Sequence, residues 1–280
     1  PGCGKTELAT RIALESASNG KRVHFFALEA SDREIERRMK FTLIMKFYFE
    51  TTKDFSFQLA YYDWYRGAGR EHLKEFEKRA EEEMKKFKNL FICYRRGSFG
   101  AKDFKRAFSG ISKETDLVIV DHLHFFDLED ENENRGVKAL MKEMNDLVKI
   151  HNVPIILIAH LRKLSRADMS LAPNLDDFHG TSDIGKIVTK AITLGPGNHL
   201  GDGRFSTYVR AAKCRQDSGV TRFLMKAFWD AKVNAYEERF SIGTEVITRD
   251  GKEFRAVNLD DASEQPLFYK SIKHYKEDEQ

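Results

Sequence analysis

The chain opens on Pro1-Gly2-Cys3-Gly4-Lys5-Thr6, and this start constrains the fold more than any later stretch. It reads as the back half of a phosphate-binding loop, G-x-x-x-x-G-K-[ST], whose first glycine is expected before residue 1. Such a loop turns backbone N–H groups inward, here those of Gly2, Cys3 and Gly4. The positive end of the following helix adds to their attraction for phosphate oxygens. Lys5 is placed to reach the β- and γ-phosphates of a nucleotide such as ATP, and the Thr6 hydroxyl to sit on Mg²⁺. The residues downstream agree. Leu8, Ile12 and Ala13 fit one helix, Gly20-Lys21-Arg22 ends it, and Arg22-Val23-His24-Phe25-Phe26-Ala27-Leu28 reads as a buried strand. Phosphate loop, helix, strand is the order that an α/β nucleotide-binding fold requires.

At 280 residues the chain fits one α/β domain with embellishments. Lysine and arginine number 47 against 44 acidic residues, a net charge of +3. That excess is too small to argue for nucleic acid, so any basic site has to be local. Cys3, Cys93 and Cys214 show no paired spacing. Neither a disulfide framework nor a zinc site is expected, but reduced thiols in a cytosol-like compartment. No apolar run approaches the roughly 18 residues that span a bilayer, so no membrane partner is expected. Because the chain starts inside a motif, a preceding segment is expected. The expected location is the cytoplasm of a bacterial or phage-infected cell, with an organelle left open.

Residues 31–88 are mostly helical in pattern. Ser31-Asp32-Arg33-Glu34 looks like a helix start, with Ser31 as cap and Glu34 three residues on. The aromatic group Tyr61, Tyr62, Trp64 and Tyr65 fits packing against the core, with base stacking as the alternative. Residues 71–88 read as a solvated helix face laced with i,i+4 charge pairs. From residue 89 strands and helices alternate: strands at 89–94, 116–121 and 153–160, helices at 102–108 and 134–151, then strands at 190–194, 205–214 and 221–229. Continuous apolar strands between helices imply a parallel sheet covered on both faces. The expected organisation is one unit over 1–247, with a helix-rich insertion at about 40–88, and a polar tail or peripheral addition over 248–280.

Five further residues carry chemistry, and all but Asp121 also have a plainer reading. Asp121 ends the apolar run Leu117-Val118-Ile119-Val120. An acid there suits Mg²⁺ support at the carboxyl edge of a parallel sheet. Glu29 follows the first strand and can orient or deprotonate a water, or cap the helix starting near Ser31. His160 ends Ile155-Ile156-Leu157-Ile158-Ala159 and can sense a γ-phosphate, or simply be satisfied within the fold. Lys213 and Arg215 share a strand face and can act as arginine-finger-like cations, or line a solvated edge.

In their order these pieces resemble the RecA-type ATPase domain of ring-shaped replicative helicases, the DnaB and Twinkle group with the phage primase-helicases. Phe26-Ala27-Leu28-Glu29-Ala30-Ser31 resembles the family's strand-end element with the proposed base. Val118-Ile119-Val120-Asp121-His122-Leu123 resembles its Walker-B strand. Ile158-Ala159-His160-Leu161-Arg162-Lys163 resembles the γ-phosphate sensor segment, and residues 175–184 the loop after it. Lys213-Cys214-Arg215 resembles the strand that reaches the neighbouring subunit's nucleotide. The likeness runs over roughly residues 1–229.

The resemblance implies a RecA-like P-loop NTPase fold, mostly parallel with helices on both faces. It implies Mg²⁺-ATP hydrolysis, assembly as a homo-oligomeric ring, expected to be a hexamer, and movement on single-stranded DNA. Primase or other replisome proteins are implied partners. Arg162, Lys163, Arg166, His179 and Gly180 would face the channel, holding strand phosphates in a sequence-independent way. There are departures. Gly195-Pro196-Gly197 stands where relatives often carry a basic residue, and residues 40–95 match no family pattern. A RecA- or KaiC-like regulatory or recombination ATPase, and a nucleotide-gated scaffold or loader, are the alternatives.

Overall fold

The computed structural model describes residues 4–31, 33–54, 56–128, 130, 132–160, 170–178, 183–201, 204–215, 221, 223–230, 235–249 and 251–258. Its elements run α1 (Lys5–Ser18), β1 (Val23–Ala27), α2 (Glu34–Thr52), α3 (Tyr61–Tyr65), α4 (Arg70–Lys86), β2 (Leu90–Tyr94), α5 (Ala101–Ile111), β3 (Leu117–Asp121), α6 (Glu133–His151), β4 (Ile155–Leu157), α7 (Asp183–Ile187), β5 (Lys190–Gly201), β6 (Arg204–Cys214), β7 (Leu224–Asp230), β8 (Ala235–Thr248) and β9 (Gly251–Ala256).

Strands β1–β4 form a parallel sheet in the order β2-β1-β3-β4. Alternation along each strand gives the sheet two apolar faces. Phe26, Val118 and Val120 pack with Phe104 and Phe108 of α5 and with Val137, Leu140, Met141 and Met144 of α6. On the other face, Phe25, Ala27 and Ile119 pack with Ala9, Ala13 and Leu14 of α1 and with Ile35 and Met39 of α2. Both faces are covered, which is why these strands read as unbroken apolar runs.

Strands β5–β9 form a second sheet, antiparallel throughout. This corrects the expectation that the parallel sheet continues past residue 190. Parallel neighbours need a crossover of about a dozen residues or more, whereas only residues 202–203 separate β5 from β6 and 249–250 separate β8 from β9. Residue 247, the expected boundary of the polar tail, lies inside β8, and β9 pairs with it as an edge strand. Residues 259–280 lie outside the described residues.

Gly195 is fitted to its place in β5. A Cβ there would stand 1.8 Å from the Leu171 carbonyl oxygen. That segment is held in turn by Glu245, whose carboxylate accepts from the Leu171 N–H at 2.7 Å and the Ser170 hydroxyl at 2.8 Å.

The helices α2, α3 and α4 build an aromatic core of their own. Phe41, Ile44, Tyr48, Trp64, Leu73 and Phe76 are buried together, each such side chain contributing about 1.5–3 kcal/mol by leaving water. The aromatic group divides: Trp64 is buried here, while Tyr62 and Tyr65 are 62% and 51% exposed. The charged residues of α4 find partners both along the helix, where Lys86 pairs with Glu83, and across elements. Lys40 meets Glu81, and the Trp64 indole N–H donates to Glu77. Ser31 does not cap α2 as expected: Arg33 occupies the N-cap position with a left-handed φ of 55°, and the Ser31 hydroxyl donates to the Glu34 carboxylate instead. Arg38 of α2 ties that helix to the one after the phosphate loop, pairing with Glu7 of α1 as well as Glu34.

Candidate active site

Gly4 adopts φ 75°, a left-handed conformation open to glycine without strain, and directly precedes α1. Thr6 in the first turn of α1 donates its hydroxyl to Asp121 Oδ2 at 2.9 Å. The phosphate-loop helix and the end of β3 are thereby joined through the pair of side chains expected to support Mg²⁺. Parallel register brings the other groups alongside. Ala27 pairs with Asp121 across β1 and β3, and the N–H groups of Leu28 and Glu29 donate to the Asp121 carbonyl at 2.7 and 3.1 Å. On the other side, the Ile158 N–H donates to Val120 and the Leu123 N–H to Ile158, both at 2.9 Å. This places His160 next to His122, with ring centroids 4.1 Å apart.

Two buried polar atoms here have no hydrogen-bond partner: Asp121 Oδ1 and His122 Nε2. Asp121 is only 2% exposed. Burial, chiefly, pushes its carboxyl up to about 6; the Thr6 bond and the Lys5 and Arg38 charges pull the other way, and Glu29 adds to the rise. An orphaned carboxylate oxygen beside a hydroxyl already turned to the same group is a donor set that fits a divalent cation. His122 is pushed down to about 3, first by burial and then by His160, His124 and Lys5, and so is neutral.

His122 stands within the Walker-B likeness, where the sequence assigns it no role. A histidine after an acid has no pattern of its own, and its partner comes from another strand. Its Nδ1 accepts the His124 backbone N–H at 3.2 Å, so the ring proton sits on Nε2. Nε2 lies 2.9 Å from Glu29 Oε2, off the line of a well-aligned hydrogen bond. Donor atoms of Glu29, His122 and His160 all fall within 4.8 Å of one another. With its proton on Nε2, His122 presents a donor rather than a lone pair, and the trio is built for hydrogen bonding rather than for a metal ion of its own.

Lys213 and Arg215 stand elsewhere. The Lys213 ammonium donates to the Gly185 and Lys186 carbonyls, and Arg215 donates to the Lys186 carbonyl at 2.6 Å. Both cations thus hold the last turn of α7, where they suit a helix's negative end. Burial, then Arg215, lowers the Lys213 pKa. Gly2, Cys3, Arg162, Lys163, Arg166, His179 and Gly180 lie outside the described residues.

The start of α1 joined to the acid that ends β3, with a carboxylate and a histidine at the adjacent strand ends, is the arrangement expected of a nucleotide site on a RecA-like sheet. The DnaB-like helicase C-terminal domain family matches residues 1–192. The chain belongs to that family. Its α/β unit is a DnaB-like helicase C-terminal domain. The structure of a DnaB-like replicative helicase, described with its interactions with primase, is similar with a TM-score of 0.69 at 14% identity, covering 84% of this chain and 56% of that one. A second solved structure, of an ATPase domain, is similar with a TM-score of 0.66 at 15% identity, covering 84% of this chain and 81% of that one. The chain therefore spans little more than half the length of the first of these. No curated protein matches it in sequence. Lys213 and Arg215 lie beyond the residues matched by the family. Among the described residues no helix is long and apolar enough to cross a membrane.

Proposed function

We propose that this domain hydrolyses Mg²⁺-ATP to drive a homo-oligomeric ring, a hexamer, along single-stranded DNA. The observation that carries the reading is the Thr6–Asp121 bond with an orphaned Asp121 oxygen beside it, at the sheet edge where parallel α/β folds bind ligands. In this reading Gly2, Cys3 and Gly4 cradle the phosphates and Lys5 binds the β- and γ-oxygens. Thr6 and Asp121 hold Mg²⁺, which when bound neutralises phosphate charge. Glu29, half-exposed at its strand end, takes the proton of the attacking water. His160 contacts the γ-phosphate and links its presence to the loop that follows. That loop, with Arg162, Lys163 and Arg166, and the segment at His179 and Gly180, holds the strand phosphates.

Lys213 and Arg215 act in trans on the neighbour's ATP, which makes turnover depend on assembly. A primase is a fitting partner, since the similar DnaB-like helicase is described with one. The cytoplasm is the fitting location.

The test is ATP hydrolysis by protein carrying a complete phosphate loop, with and without single-stranded DNA, beside Lys5→Ala and Arg215→Ala. DNA should stimulate turnover strongly, and Lys5→Ala should abolish it. Arg215→Ala should cost about a thousandfold while nucleotide still binds. Turnover indifferent to DNA would overturn the motor reading, and normal turnover by Arg215→Ala would remove the finger role.

A further inference from the structure

We propose that His122 is a positioning residue for Glu29: its Nε2–H holds the carboxylate in line for the attacking water once nucleotide closes the site. This deepens the reading above and rests on Glu29 being the base. His122 is 3% exposed, and three contacts fix its ring. Nδ1 takes the His124 N–H, the Phe125 ring stands edge-on at 4.9 Å, and His160 lies against it at 4.1 Å. The ring therefore has one direction in which to present its proton, and Glu29 Oε2 is the acceptor found there, 2.9 Å away.

A buried donor without an aligned partner is costly and calls for an explanation. Catalytic hydrogen bonds are often poorly aligned before substrate binds and tighten in the complex. The Glu29 side chain is 45% exposed against 4% for His122, so Glu29 is the partner with room to move. The same imidazole touches the sensor His160. One rigid ring thus contacts both the group that orients water and the group that detects the γ-phosphate. The geometry needs no charge on His122, only its proton.

The experiment compares His122→Phe, His122→Gln and Glu29→Gln in full-length protein, measuring kcat, KM and ATP binding, with Tm as the check on folding. Phenylalanine fills the ring's volume and cannot donate. Glutamine carries an amide N–H about as far as Nε2 does. His122→Phe should lower kcat by about ten- to a hundredfold with KM and ATP affinity within about twofold, the cost of a misplaced reacting group. His122→Gln should recover most of that loss. If Glu29→Gln is inactive but His122→Phe turns over normally, the positioning role is refuted and the base stands. If Glu29→Gln turns over normally, the base reading itself fails. Equal losses in the Phe and Gln variants at unchanged Tm would also refute the role, because the donor would then not matter. Should His122→Phe fail to fold, His122→Asn, polar but too short to reach Glu29, takes its place and should show the same kcat loss.

Discussion

The strand-end site and the helical insertion both bury polar groups among apolar ones, and they treat them in opposite ways. In the insertion the Tyr48 hydroxyl donates to Asp54 at 3.1 Å and meets His72 Nε2 at 3.0 Å, and the Trp64 indole is bonded to Glu77 at 2.6 Å. At the site, Asp121 Oδ1 and His122 Nε2 are left without an aligned hydrogen bond, and the Asp121 carboxyl is pushed up to about 6, mainly by burial. Satisfied polar groups complete a core, whereas orphaned ones cost stability unless a ligand meets them. The difference separates the part of the molecule built to fold from the part built to bind.

Asp121→Asn tests that contrast most severely. It keeps an oxygen for Thr6 and removes the charge. Turnover should fall at least about a hundredfold, while the nucleotide- and metal-free protein should gain up to about 3 kcal/mol at pH 7. The sign follows from the raised carboxyl. Folded wild type holds the Asp121 proton to higher pH than unfolded chain does, so its stability falls as pH rises from about 4 to about 6. The advantage of the variant should therefore vanish below about pH 4, grow through that window and stay level above it. Urea titrations at several pH values measure this, and a variant less stable than wild type at pH 7 would break the contrast.

Phe41→Ala in the insertion should do the reverse, costing about 3–5 kcal/mol of stability with kcat per folded molecule unchanged at a permissive temperature. A large kcat loss there would mean that the Arg38 link between α2 and α1 carries more than cohesion. Smallest of all, Tyr62→Ser, on a ring 62% exposed, should shift stability by less than about 0.5 kcal/mol. It should also leave DNA-stimulated turnover intact; a loss of stimulation would revive base stacking by this aromatic group.

What is legible in the sequence is what is local. Gly4-Lys5-Thr6, Asp121 at the end of β3 and the apolar runs of β1, β3 and β4 each carry their meaning within a few residues. The direction of β5, β6 and β7 is not legible from their composition, because these stretches mix apolar and polar residues and show neither the unbroken apolar run of a doubly covered parallel strand nor a clean alternation. Short links are the available clue. The role of His122 is hidden because its acceptor, Glu29, arrives from the end of β1, and pairing register is a property of the folded sheet. Likewise, nothing in Lys213-Cys214-Arg215 announces that its cations would meet the carbonyls of α7.

The close passage of β5 against Leu171 bears on how such a chain can change over generations. Any side chain at position 195 collides with backbone rather than with a yielding neighbour. A cation at position 195 itself is therefore not one substitution away. The stretch at Ser170 and Leu171 would first have to give up its hold on Glu245.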